Sequence, residues 1–210
     1  MEQISKVITV EEHFMSEKVN GEYQKLLEKK NLTLAQKAKA NFIQQFVAKG
    51  EITEVGEKRL EFMETHGIDC QILSYGNNSP SYLDPKQAVV LCQMANEELA
   101  GYCKQYPGNF YGFAVLPVGD TGAALTELER AVKTLGLKGI IFNGAYQESY
   151  FDEDRFFPIF EMAQELKVPV MLHPGEVPTE VAKTYYQGSW PVAVANVFAG
   201  HGIGWHYDAW

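Results

Sequence analysis

Short apolar runs alternate with longer amphipathic stretches along most of this sequence. Five of the apolar runs are rich in β-branched or aromatic residues and have the length of buried strands. The predicted strands cover residues 6–10, 69–74, 109–117, 137–143 and 168–173. Between the later strands, apolar residues at helical spacing predict helices over 84–106, 120–135 and 152–166. Strands that alternate with helices pair in parallel, so the pattern predicts an α/β fold.

Two further features distinguish between the α/β architectures. No glycine-rich phosphate loop follows a predicted strand, which disfavours a doubly wound nucleotide-binding fold and favours a (β/α)8 TIM-barrel type. The chain has 210 residues, whereas a closed barrel usually needs about 250. We therefore expect a single domain over 1–210 that holds about five of the eight barrel strands.

Residues 16–66 have a helical composition and form a longer segment than a usual connection between a strand and a helix. We therefore predict a helical insertion at about 16–66. Its role as a lid or as a dimer element stays open at this point.

Charge and composition exclude several classes of protein. Eighteen Lys and Arg against 27 Asp and Glu give a formal net charge of −9. The basic residues are scattered among acidic ones, so the basic patch of a nucleic-acid-binding protein is missing. No apolar run is long enough to predict a membrane span, and the N-terminus lacks the apolar stretch of a signal peptide. The three cysteines lack zinc-site spacing and are typical of reduced thiols, so we expect a cytoplasmic protein.

Ionisable residues follow the first and the fifth predicted strands. Glu11, Glu12 and His13 come after the first strand, and His173 ends the fifth. Residues two apart in an extended chain project on the same face, so Glu11 and His13 would enter a barrel mouth while Glu12 points away. One carboxylate and two imidazoles suit Zn²⁺ or a similar ion. Two alternatives stay open, since a histidine at a strand end can be a hydrogen-bonded structural residue and Glu11 can cap a helix.

Longer segments carry a family resemblance. EEHF directly after the first strand and VPVMLHPGE near the fifth are similar to segments of the amidohydrolase superfamily. The chain resembles more closely the amidohydrolase-related family of aminocarboxymuconate-semialdehyde decarboxylase and the γ-resorcylate and dihydroxybenzoate decarboxylases. Intermediate segments such as HGIDCQILSYG agree, and the resemblance covers roughly residues 4–210.

The resemblance implies a distorted (β/α)8 barrel with one divalent metal ion in its mouth, Zn²⁺ first and Mn²⁺ second, and no organic cofactor. Glu11 and His13 match the metal ligands of the first strand, and His173 matches the ligand of the fifth. A glutamate in place of the first histidine of the commoner HxH pattern favours the decarboxylase branch. Phe14 matches the EEHF of the dihydroxybenzoate type and is a candidate for substrate contact.

Asn143 ends the fourth predicted strand and is a second candidate for substrate contact, although a role in the turn before Gly144 is equally compatible with its position. The resemblance implies two more functional residues, a histidine on a sixth strand and an aspartate on an eighth. The aspartate completes the metal site and transfers the proton. We expect both beyond residue 210, so no catalytic residue is assigned within this chain.

The function implied by the resemblance is the non-oxidative decarboxylation of a hydroxylated aromatic or related unsaturated carboxylic acid. Two alternatives remain, namely metal-dependent hydrolysis of a lactone or amide, and an inactive truncated relative. The expected partner is a small carboxylic acid, with no nucleic acid and no membrane. Open edges of an incomplete barrel also predict a homo-oligomer.

Overall fold

A computed structural model describes residues 6–28, 50, 52–76, 79–173, 175, 180 and 184. The five strands are β1 (Ile8–Phe14), β2 (Cys70–Tyr75), β3 (Phe110–Ala114), β4 (Gly139–Asn143) and β5 (Val170–His173). The helices are α1 (Glu17–Glu28), α2 (Glu57–His66), α3 (Pro85–Gln105), α4 (Thr121–Arg130) and α5 (Phe157–Leu166). Two 3₁₀ turns cover Pro80–Tyr82 and Asp154–Phe156, and a π-helical turn over Ala131–Leu135 extends α4.

The five strands form one sheet in the order β1-β2-β3-β4-β5, and every neighbouring pair is parallel. A doubly wound sheet reverses its strand order at a switch point, whereas a (β/α) barrel adds each strand beside the previous one. The sequential order therefore agrees with the predicted barrel type.

The core lies between the outer face of the sheet and the helices. Phe142 of β4 stacks on Phe151, with ring centroids 4.2 Å apart, and meets Phe160 of α5 edge to face at 5.5 Å. Burial of these rings holds α5 against the sheet. The end of β5 is thereby placed beside the end of β4.

A buried polar network fixes the chain where it leaves β3. The Asn96 side chain of α3 donates to the carbonyl of Val115 at 2.9 Å and accepts from its N–H at 3.0 Å. Asn96 also donates to Glu127 at 2.7 Å, and Glu127 accepts from Arg130 on the next turn of α4. Glu127 is 1% exposed, and these partners satisfy its buried carboxylate oxygens.

The predicted boundaries of two strands were wrong for identifiable reasons. The first strand runs from Ile8 to Phe14 rather than over 6–10, because the polar residues of EEHF continue the pairing with β2. The third strand ends at Ala114 rather than at 117, because Asn96 takes both hydrogen bonds of Val115. Apolar content alone marks neither boundary.

The helical insertion is described in part. Helices α1 and α2 lie within the predicted range 16–66, and residues 29–49 and 51 lie outside the described residues.

In the described part of the chain, no helix has both the length and the apolarity to span a membrane. The cysteines are free, and burial raises the pKa of Cys92 strongly and that of Cys103 to about 11. Neither thiol has the lowered pKa of a nucleophile.

Candidate metal centre

Three ionisable side chains meet at the carboxyl ends of the strands. The Nε2 atoms of His13 and His173 are 3.1 Å apart. Oε1 of Glu11 lies 3.2 Å from Nε2 of His173 and 3.6 Å from Nε2 of His13. The structure therefore brings together the three residues that the sequence proposes as metal ligands. Within the described part of the chain, no second set of three His, Cys, Asp or Glu ligands converges in this way.

Curvature of the sheet makes this meeting possible. Glu11 and His13 lie on β1 and His173 on β5, which are the two edge strands of the sheet. In a flat sheet, four strand spacings would place these strands about 19 Å apart. Because the edge side chains touch instead, the sheet curls, and its concave face carries the cluster.

Two neighbouring carboxylates of β1 lie on opposite faces of the sheet, beside a β-bulge. Thr9 and Glu12 lie three residues apart, while their partners in β2 lie two apart. The extra residue lies between Thr9 and Glu12, next to the cluster, and bulges are common beside functional sites. Glu11 and His13 share the concave face, and Glu12 lies on the outer face beside Arg59. This arrangement agrees with the expectation that Glu12 points away from the mouth.

The donor atoms have the spacing of ligands around one ion. Two ligands bound 2.0–2.2 Å from a metal at tetrahedral or octahedral angles are themselves about 2.8–3.6 Å apart. The three separations of 3.1, 3.2 and 3.6 Å fall in or at the edge of that range. The Glu11 side chain is 59% exposed, whereas that of His173 is 11% exposed. The cluster is therefore open to solvent on the glutamate side, where a small molecule has access.

Glycine backbones pack together beside His173. The N–H of Gly144 donates to the carbonyl of His173 at 2.8 Å. A Cβ atom on Gly175 would come within 2.5 Å of the Gly144 Cα, so the loops after β4 and β5 contact each other through backbone atoms. This close approach fixes the direction in which the chain leaves His173.

Asn143 and Phe14 occupy different positions relative to the cluster. Asn143 pairs with His173 across β4 and β5, so its half-buried side chain lies on the same concave face. Phe14 is 1% exposed and meets the rings of Tyr75 and Tyr102 edge to face. The structure therefore brings Asn143 close to the mouth, whereas Phe14 is packed between β2 and α3.

Sequence reasoning assigned no role to two residues that hold His13. Oγ of Ser74 lies 3.0 Å from its Nδ1 atom, and the Arg59 side chain donates to its carbonyl at 2.9 Å. The position of Ser74 could have indicated a role at the site, since it is a polar residue at the exit of the second predicted strand. No feature of the sequence indicates a role for Arg59, because it lies in a helix 46 residues from His13. Burial lowers the pKa of Arg59, and the carboxylates of Glu12 and Glu54 oppose that shift.

A sequential parallel sheet with a His-His-carboxylate cluster at its carboxyl edge has the architecture of a metal-binding (β/α) barrel. The chain belongs to the amidohydrolase family, whose sequence model matches residues 45–207. This match confirms the family that the EEHF and VPVMLHPGE segments indicated.

Known relatives of this chain include decarboxylases of aromatic acids. The γ-resorcylate decarboxylase of Rhizobium radiobacter is 33% identical over 157 residues, which are 70% of this chain and 47% of that protein. The chain thus spans about half the length of the curated relatives it matches.

Solved structures confirm the fold. The 5-carboxyvanillate decarboxylase of Novosphingobium aromaticivorans, complexed with manganese and 4-hydroxy-3-methoxy-5-nitrobenzoic acid, matches with a TM-score of 0.71 and 26% identity. That match covers 86% of this chain and 53% of the other. A dihydroxybenzoic acid decarboxylase of Polaromonas with bound manganese and 2-nitroresorcinol gives 0.67 and 29%, covering 86% and 52%. The five strands therefore belong to a (β/α)8 barrel of the amidohydrolase type, and both of these neighbours contain manganese.

Proposed function

We propose that this protein catalyses metal-dependent, non-oxidative decarboxylation of a hydroxylated aromatic or related unsaturated carboxylic acid. The observation that carries the proposal is the convergence of Glu11, His13 and His173 on one point of the barrel mouth. The decarboxylase relatives support this reaction over hydrolysis of a lactone or amide.

The donor set supports a divalent ion at this point. Two neutral imidazoles and one carboxylate suit Zn²⁺, while both manganese-bound structural neighbours favour Mn²⁺. A bound ion supplies positive charge that neutralises and orients a substrate carboxylate. We propose Mn²⁺ as the first ion to test and Zn²⁺ as the second.

The protein's own side chains set the charge of the mouth. Glu11 contributes one negative charge to the ligand set, and neutral His13 and His173 contribute none. With a divalent ion these three ligands would leave one net positive charge, which the aspartate expected beyond residue 210 would offset. The ion itself is then the positive group that meets an anionic acid, although the whole chain has a formal charge of −9. Surface charges farther than about 8 Å are largely screened at physiological salt, so the local charge dominates.

Asn143 is the described residue that we propose for substrate contact. Its amide offers both a donor and an acceptor on the face that carries His173, which suits the hydroxyl groups of a dihydroxybenzoate. The resemblance implies a proton-transferring aspartate that we expect beyond residue 210, and the chain spans about half the length of its curated relatives. Activity is therefore tested on protein expressed from its complete reading frame.

The decisive experiment follows carbon dioxide release from 2,6-dihydroxybenzoate and 5-carboxyvanillate by metal-stripped protein before and after addition of Mn²⁺ or Zn²⁺. We expect release only with metal, and a loss of at least about 100-fold in Glu11→Gln. Glu12→Gln is the matched control, since that carboxylate lies one residue away on the other face. Addition of one water to a lactone, amide or double bond without carbon dioxide release would overturn the proposal.

We also propose that the 210-residue chain self-associates. In the sheet that the structure describes, Ile8 and Val10 on the edge strand β1 are 51% and 52% exposed, and Leu172 on the edge strand β5 is 37% exposed. Exposed apolar residues on sheet edges favour pairing with another chain. The cytoplasmic location stays a prediction from the sequence.

A further inference from the structure

Ser74 is a buried polar residue with a specific partner. It lies next to the end of β2, is 0% exposed, and pairs in the sheet with His13 of β1. Paired residues of neighbouring strands share a face, and Oγ of Ser74 accordingly lies 3.0 Å from Nδ1 of His13. A buried hydroxyl costs free energy unless it is hydrogen-bonded, so this contact accounts for a serine between Leu73 and Tyr75.

The hydroxyl has a second acceptor beside it. Oγ of Ser74 also lies 3.5 Å from the carbonyl oxygen of Glu12, which can only accept. When the hydroxyl proton is directed at this carbonyl, the oxygen lone pairs are left for the histidine ring. In that arrangement Nδ1 of His13 carries a proton and donates it to Ser74.

This tautomer leaves a lone pair on Nε2 of His13, the atom that faces the cluster. Nε2 lies 3.1 Å from Nε2 of His173 and 3.6 Å from Oε1 of Glu11. A metal ion binds an unprotonated ring nitrogen, so the other tautomer would place a proton where the ion has to bind. Partners that orient ligating histidines in this way typically contribute about 10- to 100-fold in metal affinity.

We propose that Ser74 is a positioning residue that fixes the Nδ1–H tautomer and the ring orientation of His13 for metal binding. The inference rests on the proposed function, because it takes the cluster of Glu11, His13 and His173 as the metal site. Its effect is on ion affinity and does not require that Ser74 touch a substrate.

The test titrates metal-stripped protein with Mn²⁺ and measures the free ion by electron paramagnetic resonance. Ser74→Ala is expected to raise the dissociation constant about 10- to 100-fold, whereas Ser74→Thr, which keeps the hydroxyl, stays within about threefold of the wild type. Ser81→Ala is the matched control, because Ser81 is also buried but lies in the 3₁₀ turn and contacts Ser79 and Cys92.

A second measurement needs no metal. ¹⁵N NMR of the histidine rings in metal-free protein is expected to show the proton of His13 on Nδ1 in the wild type and in Ser74→Thr. In Ser74→Ala we expect a mixture of the two tautomers, because the hydroxyl that accepts from Nδ1–H is then missing.

The outcomes separate the two proposals. Unchanged Mn²⁺ binding in Ser74→Ala, together with lost binding in Glu11→Gln, would overturn the role of Ser74 and leave the metal site standing. Equal losses in Ser74→Ala, Ser74→Thr and Ser81→Ala would also overturn it, since packing rather than the hydroxyl would then be responsible. Binding that Glu11→Gln does not change would overturn the proposed metal site and the role of Ser74 with it.

Discussion

The Nε2 atoms of His13 and His173 lie 3.1 Å apart, although 160 residues separate the two histidines in the sequence. They belong to the two edge strands of the described sheet, so their contact shows that the sheet is strongly curled. Two imidazoles and the Glu11 carboxylate then share one small volume, and a divalent cation is a group that all three can bind.

The first prediction concerns stabilisation by metal. An ion that binds only the folded protein adds about 2.7 kcal/mol to its free energy of unfolding at 100 times the dissociation constant. We expect Mn²⁺ to raise the midpoint of thermal unfolding of the wild type and of Glu12→Gln, and to leave Glu11→Gln and His173→Asn unchanged. Calorimetry of metal-stripped protein measures this effect, and an equal rise in all four proteins would contradict it.

The second prediction concerns Arg59, which donates to the carbonyl of His13 at 2.9 Å and through Nε to the carbonyl of Glu54 at 3.2 Å. Arg59→Ala leaves both carbonyls without this donor, so we expect the free energy of unfolding to fall by about 1–3 kcal/mol. Urea unfolding measures the change. Lys58→Ala removes the exposed neighbouring cation and is expected to stay within about 0.5 kcal/mol of the wild type. Equal effects of the two substitutions would refute the anchoring role of Arg59.

The third prediction concerns the glycine contact beside His173. In Gly175→Ala the added Cβ meets the Gly144 Cα at 2.5 Å, so one of the two loops must move. We expect a destabilisation of about 1–3 kcal/mol and weaker Mn²⁺ binding, because His173 moves with its loop. Gly101→Ala in α3 is the control, since no atom lies within 4 Å of the added Cβ. The free energy of unfolding of Gly101→Ala is expected to rise by up to about 1 kcal/mol, because alanine lowers the entropy of the unfolded chain. A Gly175→Ala protein of wild-type stability would contradict the prediction.

The fourth prediction concerns self-association. We expect sedimentation velocity to show an oligomer of the 210-residue wild-type chain, and a smaller species for Ile8→Lys in the same chain, because a charge on the edge strand opposes pairing. Val90→Lys is a matched control, since Val90 is 55% exposed on α3 and Ile8 is 51% exposed on β1. A wild type that sediments as a monomer would remove the proposal.

The sequence by itself determined the order of the elements and the residue types of the proposed metal site. Strand-helix alternation predicted five parallel strands because burial on both faces leaves short apolar runs. The Glu11–His13 spacing predicted a shared face because side chains alternate along a strand. The predicted end of β1 was wrong, since polar residues that pair in a strand look like a loop in the sequence. The predicted end of β3 was also wrong, because the strand is ended by the side chain of Asn96, which lies on α3.

Only the tertiary structure decided which side chains meet. Sequence spacing carries no information on the curl of a sheet, and that curl brings His173 to His13 across four strand spacings. Ser74 and Arg59 contact His13 but lie 61 and 46 residues away from it in the sequence, and both belong to other elements. Phe14 and Asn143 both stand at strand ends, yet Phe14 packs among aromatic rings while Asn143 pairs with His173. The physical reason is that side-chain direction depends on register, and register is fixed by pairing and packing across the whole sheet.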